Sequence, residues 1–399
     1  MPIRKTLHPI LRALTAGVAG MLCLALPARA QTHAEIAFHY APVHFQATDG
    51  ALAGSDFLTA FDYDGNLVAD DNWDHLGDGY WPATVYYSVV QSCTHWFVTY
   101  GFYYPRSWAL GSSVDTEHEN DFEGVMLSVR KDGTAWGRLE GMLTVVPTVG
   151  RVAAGRATDA APSAEISDSK SVFDFYSYTP PGSPYDTGHE TVDGRIYFQG
   201  DDGNQRPMTG ATPRSHAVRA WPNASEFNGG PDQVGVVYWP TLGTPGVPAS
   251  GNDGWVRYGL VDLMAPGGLW QAAIHDALQP GGAGATFTEF GTFRGNATGG
   301  CGDWRARRSV CVLDDGHAPW GWDDHDDGAT YRGESALDPA HLFAWYFSGT
   351  GDFSQQYVDN AYVRDLHDAG FDARHPPAGL ASQLDVDALY ARLVQGCGR

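Results

Sequence analysis

Basic residues are scarce: 25 Lys and Arg stand against 47 Asp and Glu in 399 residues, a formal net charge of −22. Phosphate recognition draws its affinity from Lys and Arg that release counterions, so this balance excludes a nucleic-acid binder. It suits cations or neutral ligands instead. Long apolar runs are lacking too. No stretch approaches the roughly twenty apolar residues that cross a bilayer, which excludes a helical span and leaves peripheral contact as the form of any membrane association. Cysteine is limited to five residues, none in a Cys-x-x-Cys pair, which weighs against structural zinc. Gly-x-Ser-x-Gly and His-Glu-x-x-His are both missing, so the sequence offers neither a nucleophile elbow nor a zincin protease.

What is present argues for a folded, strand-rich protein. With 43% hydrophobic residues and 13 Trp the chain can offset the entropy of ordering a large core. Its 49 Gly and 24 Pro favour many short strands joined by turns. Arg4, Lys5 and Arg12 precede the apolar stretch from Ala16 to Pro27, and Ala28-Arg29-Ala30 follows. That order is a secretory signal with cleavage expected after Ala30, which predicts a secreted protein, extracellular or periplasmic. Its removal takes four basic residues and Cys23, leaving Cys93, Cys301, Cys311 and Cys397. Three pairings are open in an oxidising compartment. The short separation favours Cys301 with Cys311, and Cys93 would then join Cys397.

Ile36, Phe38, Tyr40, Val43 and Phe45 read as an opening strand. Thr84 to Val90 and His95 to Tyr104 are dense in β-branched and aromatic residues, the strongest strand signals in the chain. Asp121 to Val129, the turn Lys131-Asp132-Gly133 and Trp136 to Val146 read as a hairpin. Shorter strands are predicted at Arg195 to Gln199, Val234 to Trp239 and Trp255 to Leu263. Helix signals come late: Asp338 before Pro339 opens one helix, and Leu384, Leu389 and Leu393 with Gly396 mark another. The predicted fold is mainly β, an antiparallel, jelly-roll-like β-sandwich over residues 31–275. A mixed, partly helical extension follows over 276–399, with a disulfide loop, an acidic Trp-rich loop and short helices.

The segment Glu117-His118-Glu119-Asn120-Asp121-Phe122-Glu123-Gly124 leads straight into Val125 to Val129. Alternate strand residues share a face, so Asp121 and Glu123 point the same way as Val125, Leu127 and Val129. Two carboxylates at the mouth of an apolar strand form a desolvated anionic pair, and such a pair calls for a cation. A bend at Asn120 would bring His118 round to them, and Asp115 is within reach along the chain. Oxygen ligands with one imidazole suit Mg, Ca or Mn. The plainer reading is a set of solvated charges at a strand entrance.

His-x-x-Asp-x-Glu running into an apolar strand resembles the Gly-His-Arg-His-Asp-Trp-Glu heptapeptide of the necrosis- and ethylene-inducing secreted toxins. It also resembles the His-Glu-Gly-Asp-Trp-Glu segment of the vacuolar protein sorting-associated 62 family. His118, Asp121 and Glu123 match, Phe122 stands in the Trp position, and Glu117, Glu119 and Asn120 depart from the toxin form. Arg214-Ser215-His216-Ala217 resembles a Ser-His-Ala segment those families carry later. The resemblance makes His216 a direct or outer partner of the metal. The aromatic strand His95 to Pro105 resembles the one before the acidic motif in the vacuolar sorting family. The likeness covers roughly residues 36 to 270. It implies a β-sandwich with a bound divalent cation that recognises a glycan or lipid headgroup, as a necrosis-inducing-type cytolysin or virulence factor does, without covalent catalysis. A metal-dependent extracellular hydrolase acting on a glycan or phosphoester is the alternative.

Two further acidic clusters stand out. Asp62, Asp64 and Asn66 around Gly65, with Asp70 beyond, read either as a second ion site or as a plain Asx turn. Trp320 and Trp322 with Asp323, Asp324 and Asp326 read either as a ligand or ion loop, with indoles stacking on a sugar, or as a solvated acidic loop.

Overall fold

Strand His95–Ser107 buries nearly every side chain along its length. A strand apolar at alternate positions needs one covered face, whereas one apolar throughout needs two. The computed structural model describes residues 31–49, 53–77, 81–107, 116–147, 173–178, 196, 198–201, 204–221, 234–251, 255–296, 310–311, 314, 316–322, 332–346 and 353–398. In order, the strands are β1 (Val43–Thr48), β2 (Thr84–Ser92), β3 (His95–Ser107), β4 (Thr116–Arg130), β5 (Arg138–Pro147), β6 (Phe173–Tyr178), β7 (Phe198–Asp201) and β8 (Asn204–Ala211). β9 (Val218–Ala220), β10 (Val234–Pro240), β11 (Val256–Asp262), β12 (Phe287–Glu289), β13 (Thr292–Phe293), β14 (Val310–Cys311) and β15 (Tyr357–Asp359) follow. Helices are α1 (His33–Tyr40), α2 (Leu269–Leu278), α3 (Glu334–Leu337), α4 (Pro339–Tyr346), α5 (Ala361–Asp368) and α6 (Val386–Gln395).

The protein is mainly β. Among the described residues thirteen strands join in one sheet, in the order β6-β5-β4-β3-β2-β11-β10-β1-β8-β7, with β14, β15 and β9 added to β4, β2 and β8. Strands β2 to β6 form an antiparallel meander. However, β1 with β8, β10 with β11, β11 with β2 and β14 with β4 are parallel. The sheet is therefore mixed, which corrects the expected antiparallel sandwich. Period-two patterning specifies a strand and its buried face but not the direction of its neighbour. Long connections such as the one between β10 and β11 permit the parallel crossovers.

The sheet curls, since β9 beside β8 also packs against β5 near the other end of the order. Val85, Val98, Tyr100, Phe102, Tyr104, Val125 and Leu127 meet Ala211, Val218, Val236, Tyr238 and Tyr258 from the far half in one apolar cluster. Alternation turns Tyr86, Phe97, Tyr103, Phe122 and Met126 to the opposite face. There they pack against Trp270, Phe287, Phe293, Trp320 and Trp322. The later part of the chain thus covers the outer face of the meander, and Gln31–Arg399 forms one compact unit. Gly101 and Gly124 lie directly opposite each other in the β3–β4 ladder. A Cβ at Gly124 would lie 2.6 Å from the Trp322 indole, so this glycine opens the slot through which the ring lies on the strand.

Of the expected opening strand, Val43 and Phe45 do lie in β1, whereas Ile36, Phe38 and Tyr40 lie in a helix. Thr32 and Glu35 cap each other's backbone N–H groups reciprocally, a capping box that fixes the first turn of α1. Ile36, Ala37 and Tyr40 then share its buried face. α4 begins at Pro339 after Asp338, and α6 runs from an Asp385 cap to Gly396, as the sequence predicts. No helix among the described residues is long and apolar enough to cross a membrane.

A disulfide joins Cys93, in the β2–β3 turn, to Cys397 beyond α6, across a separation of 304 residues. Cys301, and with it the expected bridge to Cys311, lies outside the described residues. Cross-linking so long a loop restricts the unfolded chain, a contribution on the order of 2–5 kcal/mol. Cys93→Ser is therefore expected to lower the melting temperature measured by calorimetry under oxidising conditions, and an unchanged transition would refute that role.

Candidate functional site

Strand β4 places Asp121 and Glu123 on the inner face of the curl, opposite Tyr104 and Phe102 of β3. Both carboxyls are fully buried, with relative exposures of 1% and 0%. Neither oxygen of Glu123 accepts a hydrogen bond from a donor among the described residues, and its side-chain neighbour is the Asp121 carboxyl, with which it can share a proton. Asp121 does: its Oδ2 lies 2.7 Å from Nδ1 of His216, a residue ninety-five positions later in the chain. The other ring nitrogen, Nε2, lies 3.0 Å from Oδ1 of Asp56. Tyr104 stacks on the imidazole at 3.8 Å with planes 7° apart. Its hydroxyl donates to Gln46 Oε1 at 2.6 Å, and His44 continues the polar seam to Thr209.

Asp56 ends the 3-10 turn Ala53–Asp56. Besides meeting His216, it accepts the backbone N–H of Asp49 at 2.7 Å and that of Arg214 at 2.8 Å. The Arg214 guanidinium in turn donates to Asp49. Arg214 and His216 both hold left-handed backbone, φ 70° and 51°. Such geometry costs non-glycine residues about 1–3 kcal/mol and persists only where its surroundings hold it. The Asp49, Asp56 and Asp121 contacts do so here.

A third left-handed residue, Asn120 at φ 58°, supplies the predicted bend in β4. Its side chain turns to the outer face, accepting from Asn72 at 3.0 Å and Tyr103 at 2.8 Å and donating to Ala69 O and Arg294 O. Glu119 addresses the same side, accepting the N–H of Asn296 at 2.8 Å. The buried His118 has its Nδ1 3.2 Å from the Glu119 carbonyl. Among the described residues, no three of His118, Asp121, Glu123 and His216 bring ligand atoms within 4.8 Å of one another. Asp115 lies outside the described residues.

Burial, then the neighbouring charge of Asp121 and a side-chain hydrogen bond to it, pushes the Glu123 carboxyl well above the usual carboxylate range. Burial would lower His216, but hydrogen bonds to Asp121 and Asp56 and their charges outweigh it, so the imidazole is raised. Two carboxylates on two ring nitrogens demand two N–H donors or a shared carboxyl proton. Burial pushes His44 down to about 3, leaving a neutral ring. Glu119 is raised to about 7, chiefly by burial.

In the second acidic segment, Asn66 N donates to Asp64 Oδ1 at 3.3 Å and Val68 N to Asn66 Oδ1 at 2.6 Å, successive Asx turns around Gly65. The structure brings Asp64 together with Asp71 and His75 within ligand distance. The carbonyls of Asp62 and Asp70 instead accept the Gly65 N–H and the Asn296 side chain. The acidic Trp-rich loop needs correction. Trp320 and Trp322 are fully buried, and Trp322 Nε1 donates to Phe122 O at 2.8 Å. Both indoles serve the core and present no face to a sugar, while Asp323, Asp324 and Asp326 lie outside the described residues. Asp56 escapes sequence reasoning because Gly54-Ser55-Asp56 carries no motif, and only tertiary contact links it to His216.

No family model matches the chain, and no curated protein matches it. Among solved structures the chain is similar to the crystal structure of the non-toxic HaNLP3 protein. The match has 14% identity, covers 48% of this chain and 71% of that one, and has a TM-score of 0.22. A likeness of that depth carries no argument about fold or function.

The raised groups set the sign of one pH dependence. Glu123 contributes stability that is complete below its unfolded value, 4.5, and is lost as pH rises through its higher native value; His216, raised from 6.5, acts in the same sense. His44 acts oppositely: its contribution is present above 6.5 and lost as pH falls towards about 3. In chelator-treated protein, Glu123→Gln is expected to flatten the alkaline decline in melting temperature and leave the acid limb in place. An unaltered alkaline limb would contradict this assignment.

Proposed function

We propose that this chain is a secreted, divalent-cation-binding β protein of the vacuolar sorting and necrosis-inducing type, recognising a glycan or lipid headgroup. The observation that carries the reading is Glu123, a fully buried carboxyl that accepts no hydrogen bond from any donor among the described residues and has the Asp121 carboxyl as its side-chain neighbour. An orphaned buried acid costs on the order of 1–3 kcal/mol or more, and a cation held by both carboxylates would remove that cost. The donor set fits a hard ion, Mg, Ca or Mn, with water completing its shell. The ion would supply charge that orders the strand entrance, while Asp121 and Glu123 hold it.

Recognition of a neutral or weakly charged ligand is supported by a surface groove of about 500 Å³ lined by Pro82, Thr84, Thr241, Leu242, Thr244 and Val261. Trp255 is 63% exposed on the same strand connection, with the Arg257 guanidinium 5.3 Å from its ring. Secretion is in keeping with the Cys93–Cys397 disulfide.

Titration calorimetry with Ca²⁺, Mg²⁺ and Mn²⁺ tests the reading. At least one ion should bind to the wild type, and Asp121→Asn or Glu123→Gln should abolish that binding. Failure of all three ions to bind wild-type protein would sink it. Turnover of glycans or phosphoesters that disappears in Asp121→Asn would favour the metal-dependent hydrolase instead.

A further inference from the structure

We infer that Asp56 is a positioning residue for the Asp121–Glu123 cation site, holding His216 as a hydrogen-bonding neighbour of Asp121 and not as a metal ligand; the inference rests on the cation reading above. Two features of the geometry carry it. The first is occupancy of the ring. Nδ1 faces Asp121 at 2.7 Å and Nε2 faces Asp56 at 3.0 Å, so neither in-plane nitrogen is directed at an ion lying between Asp121 and Glu123. An imidazole offers no third lone pair.

The second is the way Asp56 is itself fixed. Oδ1 meets both His216 Nε2 and the Arg214 N–H, while Oδ2 takes the Asp49 N–H. One fully buried carboxylate thereby pins two of the three described left-handed non-glycine residues to the chain just before the 3-10 turn. Tyr104 closes the stack from the other side of the ring. The imidazole cannot swing towards Glu123 without breaking its contacts to Asp121 and to the Asp56 carboxylate, which the Arg214 and Asp49 N–H groups hold in place, and leaving its stack on Tyr104. Its remaining role is to fix the rotamer of Asp121, leaving the other Asp121 oxygen and both Glu123 oxygens for the ion. Partners of this outer kind, once removed, cost metal sites roughly 10–100-fold in affinity.

The test uses the full chain with Mn²⁺ as probe. Asp56→Asn should weaken Mn²⁺ binding by roughly 10–100-fold while the protein remains folded by circular dichroism. In pulsed paramagnetic resonance of the Mn²⁺ complex, wild type and His216→Gln should show the same nitrogen couplings, because His216 supplies none of them. A merely structural role for Asp56 would leave no reason for affinity to fall in a folded variant. Should Asp56→Asn fail to fold, Asp49→Asn, which loosens the Arg214 clamp from outside, is expected to give a smaller loss in the same direction. Unchanged affinity in these variants, or a nitrogen coupling that vanishes in His216→Gln, overturns the inference and leaves the cation reading standing. If wild type binds no Mn²⁺ while binding another divalent ion, affinities are compared with that ion; if it binds none, both fall.

Discussion

Strand β4 is buried on both faces, and every polar group it carries has to be answered from inside the protein. That constraint organises the rest. The outer face is satisfied by ordinary means: Phe122 and Met126 enter an apolar cluster, and Asn120 finds partners for both its oxygen and its amide. The inner face begins with two carboxylates and continues as Val125, Leu127 and Val129. Water is excluded there, so charge can be balanced only by His216, by retained protons or by a cation.

The curl of the sheet supplies the first of these. β9 and the connection that leads to it from β8 come round against β4, and three left-handed residues bend the backbone so that Asn120 turns outward while His216 turns inward. The bent geometry is unfavourable locally and is held by Asp56, Asp49 and the ring of Tyr104. Strain gathered around a buried charged cluster suits a site whose geometry is fixed before a ligand arrives. The later part of the chain matters indirectly, because Trp320, Trp322 and Trp270 seal the outer face of the meander and keep β4 dry.

Much of the strand content was legible in the residues. Dense runs of Val, Tyr, Phe and Thr marked β2, β3 and β4, and Lys131-Asp132-Gly133 marked the turn into β5. α1 was missed because its apolar residues look strand-like, although Thr32 and Glu35 carried the capping signal. Sheet direction was illegible for a different reason: alternation records which face is buried, not which way the adjacent strand runs. The indoles of the acidic loop misled because a Trp among carboxylates reads identically whether the ring lies in water or in the core.

Sequence alone determined that Asp121 and Glu123 share a face of one strand, since that follows from the period of two. It also singled out His216, though only through resemblance to a motif. The tertiary structure decided that His216 meets Asp121 and that Asp56, which no pattern marks, meets the opposite side of the ring. These contacts join residues as much as 160 positions apart. Local spacing cannot encode them, because they depend on how far the sheet curls before its two halves touch.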